Sequence, residues 1–362
     1  MQHRTLTLAL LLCLSPLSQA QQGPPSSTPI SAAERKAVVE QLGQQLRAKY
    51  VFPDAGKSLA TALRAREAAG AYAAAKDVNA FASALASDMR TLGKDGHFNV
   101  IHAPDFKQRP AGQVPTAQEL DSAREEAGRY GYGIDNLARL PGNVGYMELR
   151  GFGPTELVGD ALSAAMTVLS GTDAMILDLR RNGGGEPNTV AYLMSHFFAH
   201  GDERHLNDLY SRATNSTRQY WTSPSVGPRY TKPVYVLTSK RTFSGGEECA
   251  YDFQTQKRGV IVGESTGGGS NPGDMYPVGA GFAAFIPDGR AINPITRTNW
   301  EHVGVKPDIA VPAADAKKVA HAAILRTLIK DAKDGDLKME LEAALAKVES
   351  GVEEVPTYAP PR

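Results

Sequence analysis

Val234-Tyr-Val-Leu-Thr-Ser-Lys-Arg-Thr-Phe-Ser244-Gly-Gly-Glu-Glu-Cys-Ala-Tyr-Asp-Phe253 changes period partway along its length. The run from Val234 to Leu237 is apolar and rich in β-branched residues, which predicts a buried strand; after a polar turn the spacing becomes helical. Ser244 stands where turn becomes helix, followed by two glycines. A hydroxyl there meets the free N–H groups of the first helical turn and the positive end of the helix dipole, which favours negative charge by up to about 1 kcal/mol. An acyl-transfer enzyme places its nucleophile and part of its oxyanion hole at such a point. Serine is also a preferred N-cap, so the stretch by itself supports both readings.

The chain has 362 residues, enough for one large domain or two ordinary ones. Lys+Arg 39 balances Asp+Glu 39, so no basic field points to nucleic acid or to an anionic membrane. The 22% charged and 42% hydrophobic fractions are those of a soluble globular protein. His3 and Arg4 precede the apolar run Leu6 to Leu14, and Ser18-Gln19-Ala20 supplies small residues at a cleavage position. This predicts a secretory signal over residues 1–20, a run too short to span a bilayer, and a periplasmic or secreted mature protein without a membrane span. Its removal leaves Cys249 as the single cysteine, so no internal disulfide is expected.

Residues 21–30 are rich in Gln, Gly, Pro and Ser and read as a flexible lead-in. Residues 31–95 read as a small helical domain. Ser31 and Glu34 form a capping box before Val38, Val39, Leu42 and Leu46, Leu59 and Leu63 mark a second helix, and Asp77 caps a third. Ala103 to Arg129 shows no clear periodicity and reads as a surface excursion. Strands are expected at Ile134 to Leu140 and Val144 to Leu149, after which strands and helices alternate as in an α/β core. That unit is expected to occupy residues 96–349, before a Pro-rich tail over 350–362.

Three features accompany Ser244. His97 follows a glycine turn and precedes a strand. Gly183-Gly184-Gly185 follows the apolar strand Ala174 to Leu179 and can present backbone N–H groups without side-chain obstruction. Glu301 lies just before Val303 to Ile309. A serine nucleophile needs a base, the base an orienting carboxylate, and the oxyanion needs donors. Asp178-Leu-Arg-Arg-Asn-Gly-Gly-Gly185 resembles the Asp-Leu-Arg-x-Asn-x-Gly-Gly signature of the S41 serine peptidases, which include C-terminal processing proteases and tricorn-like enzymes. Val236 to Ser244 resembles the nucleophile loop of that family, Gly263 to Gly269 its Gly-Glu-x-Thr-x-Gly loop, and Gly304 to Ile309 its Gly-Val-x-Pro-Asp stretch.

The resemblance implies a core related to the crotonase and Clp protease fold, with Ser244 as nucleophile. It implies no metal and no organic cofactor, and a peptide or unfolded protein as substrate. Processing proteases pair serine with a lysine in the glycine-rich loop, whereas this chain has Gly269 at the matching place. The base is therefore expected to be His97, as in the branch similar to the interphotoreceptor retinoid-binding protein, which lacks a PDZ domain. Glu301 matches the tricorn-like orienting glutamate, with Asp95 as its rival, and Gly96 stands where tricorn has a linking serine. The oxyanion hole is expected from Gly184 and Gly245, with Gly185 as substitute. His196 and His200 stand one helical turn apart, but the glutamate of a metallopeptidase motif is missing beside them. Glu247 and Glu248 suit the first turn of a helix through its dipole, and Asp178 reads as organiser of the glycine turn. A carrier of hydrophobic ligands and a small-molecule esterase are the alternative functions for this scaffold.

Overall fold

The computed structural model describes residues 28–108 and 114–351. The expected signal, most of the lead-in and nearly all of the Pro-rich tail lie outside them. Three helices open the described chain, α1 (Ala32–Lys49), α2 (Pro53–Ala68) and α3 (Val78–Gly93). Ser31 and Glu34 form the expected capping box, and the Asp77 carboxylate accepts from the amides of Asn79 and Ala80. Pro53 does not merely end α1; it starts α2 at a position where its missing N–H costs nothing.

Strand β1 (Asn99–His102) follows, and then α4 (Ala117–Arg129) in the segment expected to be irregular. The corrected segment carries its own signal. Thr116 and Glu119 make a reciprocal capping box. Its apolar stripe, Leu120, Ala123 and Ala127, has helical spacing but only one large side chain. Next come β2 (Ile134–Leu140), β3 (Val144–Leu149), α5 (Thr155–Leu169), β4 (Ala174–Asp178) and α6 (Pro187–Ser195). A hairpin, β5 (His205–Ser211) and β6 (Ser216–Trp221), precedes β7 (Val234–Thr238), α7 (Gly245–Thr255) and β8 (Val260–Gly263). The remainder is β9 (Gly273–Pro277), β10 (Phe282–Pro287), β11 (Gly289–Ile292), β12 (Ile309–Ala310), α8 (Ala316–Asp331) and α9 (Gly335–Ser350).

Six strands form the central sheet in the order β12-β8-β7-β4-β3-β2, parallel except for the β2–β3 pair. All five residues of β4 are buried, as a strand covered on both faces requires. One face packs on α5, α6 and α7 through Met175, Leu177, Val236 and Phe253. The other packs on α8 and α9 through Ile176, Leu237, Ile324 and Leu341.

The second sheet, β1-β10-β9, is antiparallel and shares a core with the first three helices: Leu42, Phe81, Leu85, Phe98, Phe282 and Ile286 all belong to it. The helical region and the strand that follows His97 are thus one packed layer. Phe81 is its hinge point, fully buried and edge-on to both Tyr72 and Phe282, at 5.7 and 5.5 Å between ring centroids. Phe81→Ala is expected to destabilise the protein by about 3–5 kcal/mol in urea denaturation. A loss below about 1 kcal/mol would show that this layer opens independently of the cooperative unit.

Candidate active site

Parallel strands β4, β7 and β8 end on one edge of the sheet, where open α/β sheets place their ligands. The loops that leave β4 and β7 are bonded to each other. Ser239 Oγ donates to the Arg180 carbonyl (2.6 Å), Thr242 Oγ1 to that of Leu179 (2.8 Å), and the Phe243 amide to that of Asn182 (3.0 Å). The Asn182 side chain then donates to the Leu149 carbonyl on β3. Asp178, fully buried, accepts from the Tyr146 hydroxyl and from the Arg180 amide and guanidinium, and so shapes the same turn. Held this way, half-buried Ser244 adopts φ 53° and ψ −123°, a conformation that costs a non-glycine residue about 1–3 kcal/mol. It projects at the N-terminus of α7.

The glycine turn lies directly against it. The Gly184 amide, expected as an oxyanion donor, instead donates to Asn182 Oδ1 at 2.9 Å. Its N–H is committed because Asn182 folds back over the turn. Gly184 serves close approach, since a Cβ there would stand 2.7 Å from Ser244 Cβ. Among the described residues the amides of Gly185 and Gly245 donate to no protein acceptor. Their backbones touch, with the Gly185 nitrogen 3.1 Å from where a Gly245 side chain would begin. Gly185 has φ 134° and the Phe152 carbonyl fills its side-chain position, so only glycine fits. The free donors beside Ser244 are those of Gly185 and Gly245.

His97 is buried between Phe243, at 4.6 Å between ring centroids, and Phe285, stacked at 6.2 Å. Its Nδ1 lies 3.4 Å from Asp95 Oδ1, within ion-pair reach but not aligned as a hydrogen bond, so neither ring nitrogen has a hydrogen-bond partner among the described residues. No hydrogen bond joins Ser244 Oγ to the imidazole, a looseness common in substrate-free sites. Asp95 is itself well held. It accepts from the His97 amide (3.0 Å), Asn271 Nδ2 (2.9 Å) and the Tyr50 hydroxyl (3.4 Å). Burial works to raise its carboxyl, but His97 and Asn271 outweigh burial and hold it below the usual carboxylate range.

Glu301 shares the neighbourhood without bonding to the imidazole. Its Oε2 accepts from the Ser270 amide (2.5 Å) and hydroxyl (3.1 Å), and its Oε1 lies 3.6 Å from His302 Nδ1. Burial, then the charge of Asp95, raises its carboxyl above the ordinary value, while Ser270 and His97 pull the other way. The expected order of the two carboxylates is therefore reversed in space, with Asp95 facing Nδ1 and Glu301 bracing the glycine-rich loop.

Glu247 was legible only as a helix-start residue, yet it is fully buried at the centre of the site. Its carboxylate accepts from the Ser244 amide, the Thr266 hydroxyl and the amides of Gly268 and Gly269. The glutamate three residues after a capping serine was the available signal. His196, in contrast, is a core residue with Nδ1 2.7 Å from the Pro228 carbonyl, and His200 is exposed.

Comparison with known proteins bears on the family and the fold. Residues 143–311 match the family model described as Peptidase family S41. Residues 31–130 match that of the N-terminal domain of Peptidase S41 in eukaryotic IRBP. The chain is 27% identical over 195 residues to carboxyl-terminal-processing peptidase 2, chloroplastic, of Arabidopsis thaliana, covering 50% of this chain and 35% of the relative. It is 24% identical over 188 residues to peptidase 1 of the same name and organism, covering 52% and 37%. The matched stretch thus spans about a third of the length of these relatives. Among solved structures, mature CPAF complexed with lactacystin superposes with TM-score 0.53 at 12% identity, over 89% of this chain and 99% of that one. A lipoprotein from Streptococcus agalactiae gives 0.52 at 12%, over 83% and 98%. At such identity the two structures share the fold.

The two carboxylates near His97 are separable by amidation. Asp95→Asn is expected to slow fluorophosphonate labelling of Ser244 by on the order of 10³–10⁴-fold, the cost of a misoriented base in a serine triad. Glu301→Gln, whose bonds go to Ser270, should cost about tenfold or less. The reverse ranking, with both variants folded by circular dichroism, would return the orienting role to Glu301.

Proposed function

We propose that this chain, which belongs to peptidase family S41, cleaves peptide bonds through an acyl-enzyme on Ser244 with His97 as general base. The observation that carries the reading is the placement of Ser244. It stands in a strained backbone conformation at the N-terminus of α7, flanked by two amides, Gly185 and Gly245, that no protein acceptor uses among the described residues. Unpaired donors beside a nucleophile suit an anion that forms only during reaction.

In the proposed cycle His97 takes the Ser244 Oγ proton as Oγ attacks the substrate carbonyl carbon. The tetrahedral oxyanion sits between the Gly185 and Gly245 amides. Collapse breaks the peptide C–N bond, and the leaving amine receives the proton from His97. Water then attacks the ester carbonyl as His97 takes its proton; collapse breaks the ester C–Oγ bond, His97 returns that proton to Ser244 Oγ, and the acid product leaves. Asp95, 3.4 Å from Nδ1, keeps the imidazole oriented while charge develops on it. A lysine base has no place in this scheme, since Gly269 occupies the matching position of the glycine-rich loop. Its hypothetical Cβ would fall on the Phe243 ring and 2.7 Å from His97 Cε1.

The substrate class proposed is a peptide or unfolded protein, and the destination proposed is the periplasm or the medium. Export rests on the sequence from Leu6 to Ala20, and N-terminal sequencing of the mature protein should begin near Gln21 if it is right.

The decisive experiment is labelling with a fluorophosphonate probe alongside hydrolysis of a casein substrate. Wild type should label on Ser244 and cleave; Ser244→Ala should do neither. His97→Ala should lose at least about 10³-fold in both, whereas Lys94→Ala and Lys240→Ala should stay near wild type. A wild-type protein that binds a hydrophobic ligand but never acylates would make the chain a ligand carrier. One that labels and cleaves esters but no peptide would make it an esterase.

A further inference from the structure

We propose that Glu247 is a positioning residue for this reaction: its carboxylate sets the nucleophile relative to the base by tying the Ser244 amide to the glycine-rich loop on which His97 rests. The inference builds on the roles proposed above for Ser244 and His97.

Each carboxylate oxygen of Glu247 takes two hydrogen bonds. Oε1 accepts from Thr266 Oγ1 (2.5 Å) and the Gly268 amide (2.6 Å); Oε2 accepts from the Ser244 amide (2.9 Å) and the Gly269 amide (2.8 Å). Amides can only donate; the Thr266 hydroxyl, which also accepts from the Val305 amide at 2.6 Å, donates to Glu247 and is the one partner able to accept in return. The anion accepts from all four partners as they stand. A protonated carboxyl keeps its three amides only by turning its O–H on Thr266 Oγ1, which takes the acceptor from the buried Thr266 proton.

The loop so held forms the seat of the imidazole. Gly269 has no room for a side chain between Phe243 and His97. A Cβ at Gly267 would stand 2.8 Å from Phe243 Cδ2, and one at Gly96 3.1 Å from Phe243 Cζ. The Phe243 ring therefore fills a slot walled by three glycines and packs against His97. The path from Ser244 through Glu247 and Gly269 to His97 is continuous, and displacing its centre separates nucleophile from base.

Burial raises the Glu247 carboxyl to about 7, against the pull of the Thr266 hydroxyl and then of the Gly269, Gly268 and Ser244 amides. Around it, the glycine-rich loop carries Glu264 at its start and Ser270, which bonds Glu301. His97 packs on Gly269 from the loop before β1, and Glu248 and Asp252 are buried on its own helix. No cation bonds to it among the described residues. As pH falls through about 7, Glu247 takes up a proton and the acceptor set breaks. Because its folded value is raised, that proton binds the folded state more tightly than the unfolded chain. Stability from this group is greatest on the acid side and falls as pH rises toward 7, so the acid loss of activity occurs without unfolding through Glu247.

The test is the second-order rate of fluorophosphonate labelling of Ser244 against pH, in wild type, Thr266→Val and Glu247→Gln. Removing the Thr266 hydroxyl takes a donor from the carboxylate. Its acid limb should move up by about one pH unit, slowing labelling about tenfold on the acid side while the alkaline rate stays within about threefold of wild type. Glu247→Gln should slow labelling at least about a hundredfold at every pH, with circular dichroism unchanged. An acid limb that Thr266→Val leaves in place, or a uniform loss at all pH values, would overturn the positioning role even if Glu247→Gln does not fold. Absence of labelling in wild type at any pH would instead overturn the peptidase reading on which the inference rests.

Discussion

The parallel pairing of β4 with β7 is the constraint on which the site depends. Leu177 sits beside Val236 and Asp178 beside Leu237, so both strands finish at the same level and their loops leave side by side. Backbone groups released from the ladder at that edge are buried and need partners. They find them in each other's loops, through Ser239, Thr242, the Phe243 amide and Asn182. These bonds hold Ser244 in a conformation it would not adopt alone and bring the glycine turn against it. A strained nucleophile is sustained by two loops that have few other ways to satisfy their polar groups.

Three buried carboxylates then divide the electrostatic work. Asp95 lies among donors and beside the imidazole, and is held ionised. Glu301 has donors on one oxygen and the charge of Asp95 nearby, and is pushed up. Glu247 is buried as fully as Asp95 and has four donors but no imidazole charge beside it, so burial prevails and raises its carboxyl to about 7. Similar chemistry gives different behaviour because desolvation and hydrogen bonding oppose each other, and their balance changes over a few ångströms.

The base arrives from another layer. The first three helices share a core with β1, β9 and β10, and His97 is the last turn before β1. Phe243 and Phe285 clasp its ring from the nucleophile loop and from β10. Packing between the helical layer and the central sheet thus sets where the imidazole stands, and the glycines at 96, 267 and 269 make room for that contact.

Local order decided much of what could be read in advance. The strand–turn–helix around Ser244, the apolar interior strand at Ala174 to Asp178, the glycine turn and the capped helices α1 and α3 each rest on residues within one or two turns of one another. That is the range over which propensity, period and capping act. Helix α4 escaped because its buried face is alanine, although Thr116 and Glu119 marked its start. What the sequence by itself determined was the order of the elements and the set of reactive residue types. Tertiary structure alone decided that Asp95 rather than Glu301 faces His97, that Asn182 takes the Gly184 amide, and that Glu247 bridges two loops. Those outcomes depend on distances across the fold, where burial and a competing donor determine which of several suitable groups is engaged.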